Sequence, residues 1–439
     1  MKWEFVLPSP TPIRVTILAF LVILFGHALW IFIFGCDVPF RDQWSSELHW
    51  YRLLVTDAAN WDALIAPHNE HRIAVTRLFN GLIFRLLGGW HPIAAMYAQT
   101  FVIASAVAIL VYLLWKYAGR WRKIAVIFTL VVFLSPYAWQ NILNGFQNQF
   151  YFMLLFALVA LFLVSFHTSW SGILMAIVLA AVSHLTMAGG ILTSMSLVFG
   201  LVLVFITKRT SFFKFAVAMM LMIAVILWQI RFLHHVPGHD ALKAHTVAEF
   251  VVAIVKVLSW AEIPIGILLW GVGFYVVLQN YLHRPGSFIS WLANLTGAQI
   301  FVLCMCGWLL LQLAATAYSR AHSGLTASRY QQTYSLIIPL FFLLLNLFET
   351  KLKWLRTWVV AVMLLTVIGI RNGKEWLPLR REAKAMRSAR VEIATAVKMN
   401  NFGYLKSKDD GEFSLGYPAE GIWQNVHDQT FLPYHLWLE

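Results

Sequence analysis

The sequence predicts an all-α, polytopic transmembrane bundle of about eleven spans, with interfacial helices in its outer loops and a small soluble appendage at the end. Three observations predict it. First, 60% of the 439 residues are hydrophobic and only 12% are charged, whereas soluble domains carry roughly 25% charged residues. A water-facing surface cannot be built from so few charges, so lipid must replace water as the main solvent. Second, long apolar runs recur, and about 20 apolar residues cross the hydrocarbon core of a bilayer. Third, the net charge of +13 is spread in short basic clusters between those runs. Such clusters set membrane topology, which removes the nucleic-acid reading that a basic chain otherwise invites.

In chain order the predicted spans lie near 13–35, 92–115, 123–137, 150–166, 171–185, 189–206, 211–232, 263–281, 291–317, 333–348 and 354–370. Residues 13–35 are an uncleaved first span: the apolar run is too long for a cleaved signal, and Phe34 fits a lipoprotein cleavage site before Cys36 poorly. Within 171–206, Ser183-His184 and Gly189-Gly190 mark either a turn between two short helices or a kink in one long helix. Three cysteines give no disulfide framework, and Cys304 and Cys306 lie inside an apolar span as packing residues. Residues 73–88, with Ile73, Leu78, Leu82 and Leu86 beside Arg77 and Arg85, read as an amphipathic helix along the interface, as does 246–259.

With the N-terminus inside, Lys116, Arg120, Arg122, Lys123, Lys208, Arg209, Lys214, Arg284, Lys351, Lys353 and Arg356 all fall in cytoplasmic loops. The opposite side receives 36–74, with six acids (Asp37, Asp42, Glu47, Asp57, Asp62, Glu70) against Arg41, Arg52 and Arg72. Residues 371–398 carry eight basic side chains against Glu375, Glu382 and Glu392, a balance that prefers the cytoplasm, while an odd span count puts them outside. Glu382 to Val397 reads as a helix, followed by a turn-rich stretch from Lys406 to Gly411.

Four constellations carry possible chemistry. The loop 36–72 holds Asp42-Gln43-Trp44 and His68-Asn69-Glu70-His71-Arg72. An acid at headgroup depth sits in a medium that raises its pKa, which suits a general base. A helical 68–72 places His68 one turn from His71 and Arg72, and two His with Asp42 or Glu70 then offer loose ligands for a divalent metal such as Mg or Mn; the alternative is a hydrogen-bonded helix start, and no metal is assigned. The amide-rich stretch Trp139 to Tyr151, with Asn141, Asn144, Gln147 and Gln149, opens a span on the same side and either binds sugar hydroxyls or caps a helix entry. Tyr318-Ser319-Arg320 and Ser328-Arg329-Tyr330 place two arginines where bases are scarce; arginine forks bind phosphate bidentately, and anchoring to headgroups is the alternative. The cluster His234, His235, His239, Asp240 and His245 invites a metal or acid-base reading, but reads more readily as a flexible polar loop. No P-loop, dinucleotide glycine pattern or paired-cysteine motif is present.

An acid directly after span one, a polar motif opening a later span, late arginines and a soluble tail together resemble GT-C type integral membrane glycosyltransferases, and more narrowly an uncharacterised bacterial branch of them. The motifs that carry the resemblance are Asp42-Gln43-Trp44, His68 to Arg72, Asn141 to Gln147 and Ser328 to Tyr330. The resemblance implies transfer of a sugar from a polyprenyl-phosphate donor, with inversion, onto a glycan, lipid or protein acceptor at the outer face of the bacterial inner membrane. It implies a catalytic membrane domain over 1–370, its first extracytoplasmic loop at 36–90, and a soluble extracytoplasmic region at 371–439. It assigns Asp42 as base with Glu70 and His71 as catalytic partners. Arg72, Arg320, Arg329 and Tyr330 would hold the donor phosphate, and Trp44, His68, Asn69, Asn144 and Gln147 the sugar or acceptor. Gln43 stands where protein mannosyltransferases have a second acid, which leaves Glu70 and Glu47 as candidates for that role. A polysaccharide polymerase or ligase usually has its large outer loop late in the chain, and a flippase places charges mid-membrane within repeats; neither pattern is seen.

Overall fold

The computed structural model describes residues 11–260, 265–348 and 371–399. They are all-α apart from one hairpin of two-residue strands, β1 (Pro67–His68) and β2 (His71–Arg72). Among the described residues seven helices are long and apolar enough to cross a membrane: Pro12–Phe34, Pro92–Tyr117, Gly145–Phe166, Ala188–Ile206, Phe212–Arg231, Ile265–Leu282 and Gly297–Ser319. This makes the chain a multi-pass membrane protein. The expected span at 123–137 is a bent pair, Gly119–Leu134 and Pro136–Ile142, turned by 41°. The break follows from Pro136, which cannot donate into the preceding turn. The expected 171–185 is a 15-residue apolar helix, Trp170–His184. It meets the next helix at a turn, which settles the choice between turn and kink. Gly190 makes that turn possible, since a Cβ there would fall on the Ser183 carbonyl. The expected 333–348 divides into Ser328–Tyr334 and Ile337–Leu347. The expected span 354–370, the turn-rich 406–411 and the rest of 400–439 lie outside the described residues.

The core is built around Gly145–Phe166, which packs against both the second long helix (Pro92–Tyr117) and Gly297–Ser319. Leu110, Val111, Leu114, Leu158, Leu161, Trp308 and Leu309 are fully buried there, and Cys304 with them. The first helix lies along Pro92–Tyr117, burying Ala19, Ile23 and Ile31 and leaving Phe25, Leu29 and Phe32 outward. Outward apolar side chains cost nothing when the surrounding solvent is hydrocarbon. Buried polar side chains are tied to backbone: His27 bonds the Phe133 carbonyl at 2.8 Å, and Gln99 donates to the Asn141 carbonyl at 2.7 Å.

One face of the bundle carries the chain between the first two spans. Asp37 accepts from the Ile93 N–H at 3.1 Å and so caps the second span. A π-helical turn, Gln43–Glu47, runs into the helix Leu48–Val55, and a short helix, Trp61–Ile65, precedes the hairpin. The amphipathic helix expected over 73–88 is present as Ala74–Leu87, ended by Gly88 in the left-handed region at φ 69°. Its leucines Leu78, Leu82 and Leu86 point outward. The face turned to the protein is polar and small instead: Thr76, Arg77, Asn80 and Gly81. The second expected interfacial helix is Val247–Leu258, held by a capping box of Thr246 and Glu249.

The last described helix, Arg371–Met399, extends the expected 382–397 by eleven residues at its start. It packs on the same face as the Asp42 loop. Cys36 Sγ approaches the Met386 carbonyl at 3.5 Å, Trp139 Nε1 donates to Glu375 at 3.2 Å, and Arg387 donates to the Ile33 carbonyl at 2.6 Å.

Arg77 is the buried clamp of this face. One guanidinium nitrogen donates to the carbonyls of Ala63, Leu64 and Ala66 at 3.0, 2.9 and 2.6 Å. These are the open carbonyls at the end of Trp61–Ile65, which a helix leaves unsatisfied. We expect Arg77→Ala to cost about 2–4 kcal/mol, because it removes charged hydrogen bonds and leaves buried carbonyls without donors. Thermal unfolding in detergent would fall, and hydrogen exchange at 61–66 would rise before that of the core; wild-type protection at 61–66 would refute the clamp.

Candidate functional site

Glu47 is the deepest charge of the loop face. It is 4% exposed and accepts from Gln43 Nε2 at 2.8 Å and from Asn80 Nδ2. Asn148 Nδ2 donates to Asn80 Oδ1 at 2.8 Å, and Thr76 donates to Asn148 Oδ1 at 2.6 Å. One chain of hydrogen bonds therefore joins the turn after Asp42, the interfacial helix and the amide stretch. Burial pushes the Glu47 carboxyl up to about 7, against the two amide donors that favour its charged form.

Asp42 stands at the head of that turn, its carboxylate half exposed and 3.9 Å from the Nε2 of His68. His68 holds it below the ordinary carboxylate range. Burial opposes this, and the charges of Arg329 and Arg41 add to it. The expected rise in its pKa at headgroup depth is thus overturned, because cations outweigh desolvation.

The hairpin replaces the helix expected over 68–72. Asn69 takes φ 50°, which a short polar residue tolerates, and Pro67 favours extended backbone before it. His68 and His71 pair directly across the strands, so they share one face, while Arg72 takes the other. Arg72 is spent on structure: it donates to Phe232 O at 3.0 Å and Ile65 O at 2.7 Å, with its guanidinium 4.9 Å from the Phe232 ring. His71 is half-buried, accepts from the Ala188 N–H at 3.3 Å, and is pushed down to about 4, chiefly by desolvation. It is a neutral donor at pH 7 and no cation. Asn69 lies at the exposed tip, within 3.4 Å of His68.

Glu70 meets two partners that sequence reasoning had set apart. It pairs with His239, from the 3-10 turn Pro237–Leu242, and with Arg320 at 3.7 Å. Burial raises its pKa, but the His239 bond, its own backbone N–H and the charge of Arg320 bring it below the ordinary value. His239 had been read as part of a polar loop. The clustering of histidines at 234–245 was a signal, and its target was invisible along the chain. Asp240 stays local, with His235 at 2.9 Å and Lys243 at 2.6 Å.

The two late arginines arrive on either side of Tyr330. Arg320 donates to its hydroxyl at 3.3 Å, and the Arg329 guanidinium lies 5.2 Å from its ring. Burial raises the phenol's pKa, and the two guanidinium charges overcome that and lower it. The amide stretch forms the shelf beneath Arg329. Ser328 donates to Tyr137 O at 2.6 Å, Asn141 donates to Arg329 O at 2.9 Å, and Gln140 accepts from the Arg329 N–H at 3.2 Å.

Asp42, His68, Glu70, His71, Arg320, Arg329 and Tyr330 are thus brought to one face. Other expected contacts serve the framework. Trp44 is buried edge-on against Trp90 at 5.5 Å, so its ring is packed and not open to a sugar. Asn144 caps the turn Gly145–Gln147 by accepting from the Phe146 N–H at 3.0 Å, and Gln147 is buried and accepts from Gln149 at 3.4 Å. Among the described residues no three His, Cys, Asp or Glu side chains gather as one metal-ligand set. No protein-family model, curated protein or solved structure matches the chain.

The pH dependence of this face follows from Glu47. A carboxyl raised from 4.5 to about 7 contributes stability that is whole below the unfolded value and is lost as pH rises through the folded one. We expect stability to fall between pH 4.5 and 7 by an amount of order 3 kcal/mol from this group. Glu47→Gln should remove that part of the slope; an unchanged slope in unfolding midpoints from pH 5 to 8 would refute it.

Proposed function

We propose that the chain is a membrane glycosyltransferase, GT-C like, acting on a polyprenyl-phosphate sugar donor at the outer face of a bacterial inner membrane. The observation that carries this reading is the convergence of an acid, Asp42, with two arginines, Arg320 and Arg329, on one face of a membrane bundle. Asp42 comes from the loop after the first span, and Arg320 and Arg329 come from the far end of the chain. Its carboxylate is held in the charged, deprotonated form by His68.

In the proposed reaction an acceptor hydroxyl gives its proton to Asp42 as its oxygen attacks the anomeric carbon. The bond from that carbon to the lipid phosphate oxygen breaks on the opposite side, which inverts the centre. The electron pair leaves with the phosphate, whose charge Arg329, Arg320 and the Tyr330 hydroxyl stabilise. Glu70 orients Arg320, and His71 donates as a neutral imidazole. The acceptor is a glycan, lipid or protein, such as a lipopolysaccharide, capsule or pilin component.

The reading also takes the bundle to cross the membrane about eleven times. Support comes from where the short helices end. Trp170–His184 starts beside Phe213, 6.2 Å between rings, and ends at Leu185, whose carbonyl accepts from the Val75 N–H at 3.2 Å. It therefore runs from one face to the other. The pair Ser328–Tyr334 and Ile337–Leu347 does the same, since Ser328 bonds Tyr137 and Asn346 bonds the Tyr117 carbonyl at 2.8 Å.

We expect Asp42→Asn to lower sugar transfer by about 10²–10⁴-fold with membrane insertion intact. The readout is the surface glycan and lipid-linked sugar pool of a deletion strain carrying each variant; full transfer by Asp42→Asn would sink the assignment. Arg329→Ala should raise the KM for the lipid-linked donor far more than Lys208→Ala on the other face, and equal effects would remove the phosphate role.

A further inference from the structure

The helix Arg371–Met399 has two unlike faces. One is buried and made of Leu379, Glu382, Ala383, Met386, Ala389 and Ile393. The other recurs at helical spacing as Leu377, Arg380, Arg381, Lys384, Arg387 and Val391, all exposed. Its three acids are placed elsewhere. Glu382 is buried, Glu375 is bonded to Trp139, and Glu392 is only half-exposed. The outward stripe is thus cationic with apolar side chains at both ends, and among the described residues it carries no exposed carboxylate.

Its depth is set by the first span. Trp376 stands edge-on to Trp30 and Phe34, at 5.8 and 5.7 Å between ring centroids. Those two rings belong to the last turns of Pro12–Phe34. Arg380 lies 4.8 Å from the Trp376 ring, and Arg387 reaches the Ile33 carbonyl. The helix therefore rises from the end of a membrane-crossing segment, at the level where aromatic side chains and cations meet headgroups.

We propose that the face formed by Arg380, Arg381 and Lys384 binds anionic phospholipid headgroups and seats this helix on the bilayer beside the site. A soluble acidic polymer would be met by cations alone. Leu377 and Val391 flanking the charges fit a surface that is part phosphate and part acyl chain. The proposal resolves the charge conflict of this segment: its bases lie on the acidic-loop side because they meet lipid phosphate there. It does not depend on the reaction assigned to Asp42.

The test uses the full chain in neutral detergent, with phosphatidylglycerol or phosphatidylcholine added in mixed micelles. Binding is read as retained lipid phosphorus and as the shift in unfolding midpoint. Phosphatidylglycerol should be retained and should stabilise; phosphatidylcholine should not. The R380Q/R381Q/K384Q variant should bind phosphatidylglycerol about a hundredfold more weakly, while a K208Q/R209Q/K214Q control binds as wild type. In wild type alone, about 0.5 M salt should abolish the lipid-specific shift, since screening is then shorter than the contact range. Equal effects of the two lipids, a salt-resistant shift, or a triple variant with wild-type retention would each overturn the proposal. So would polyphosphate producing the shift where phosphatidylglycerol does not.

Discussion

The buried carboxylate of Glu47 is the constraint on which the rest of the loop face depends. A charge at that depth cannot be left without donors, because desolvation costs far more than one amide returns. Gln43 and Asn80 supply them, Asn148 and Thr76 secure Asn80, and the resulting chain spans three segments distant in sequence. Removing any member would leave a buried polar group unpaired. The turn that carries Asp42 is thereby fixed relative to the spans. A half-exposed acid on a loop acquires a defined position because a neighbour five residues on is locked.

The hairpin at 67–72 adds a second fixed edge. Its two faces divide the labour between chemistry and architecture. His68 and His71 look towards Asp42 and Ala188, while Arg72 ties two backbone carbonyls on the other side. Glu70, at its tip, is where the two late segments arrive, through His239 and Arg320. Arg320 is held by Glu70 and the Tyr330 hydroxyl, and Arg329 lies over the Tyr330 ring, so both guanidinium groups are oriented in advance. Under the proposed function this is preorganisation, with donors held before the charge they would stabilise develops.

Membrane solvent explains features that would be faults in water. Leu78, Leu82 and Leu86 face outward from an amphipathic helix whose polar side faces the protein. That is the reverse of a soluble helix, and it follows when the protein face supplies hydrogen bonds and the outer face meets acyl chains. The same logic accounts for the outward phenylalanines of the first span and for the ties of the buried Gln99 and Asn141 amides to backbone carbonyls.

Membrane character, helical class and the position of most long apolar helices were legible in the sequence, because apolar runs are local properties. The acidic loop, the amide stretch and the late arginines were legible as separate motifs for the same reason. What the sequence could not show was which faces meet. His68 to Arg72 folds as a hairpin and not a helix because Asn69 accepts a left-handed backbone and the partners of Glu70 reward it from outside. His71 loses its charge and Asp42 keeps its own through burial and neighbours that only the tertiary structure assembles. Trp44 and Arg72 looked like ligands for a substrate and proved to be packing and tether, since a side chain's role is decided by what occupies the space around it. The acid directly after the first span thus remained the centre of the site, and its position was decided by Glu47, a residue whose importance comes from depth rather than from motif.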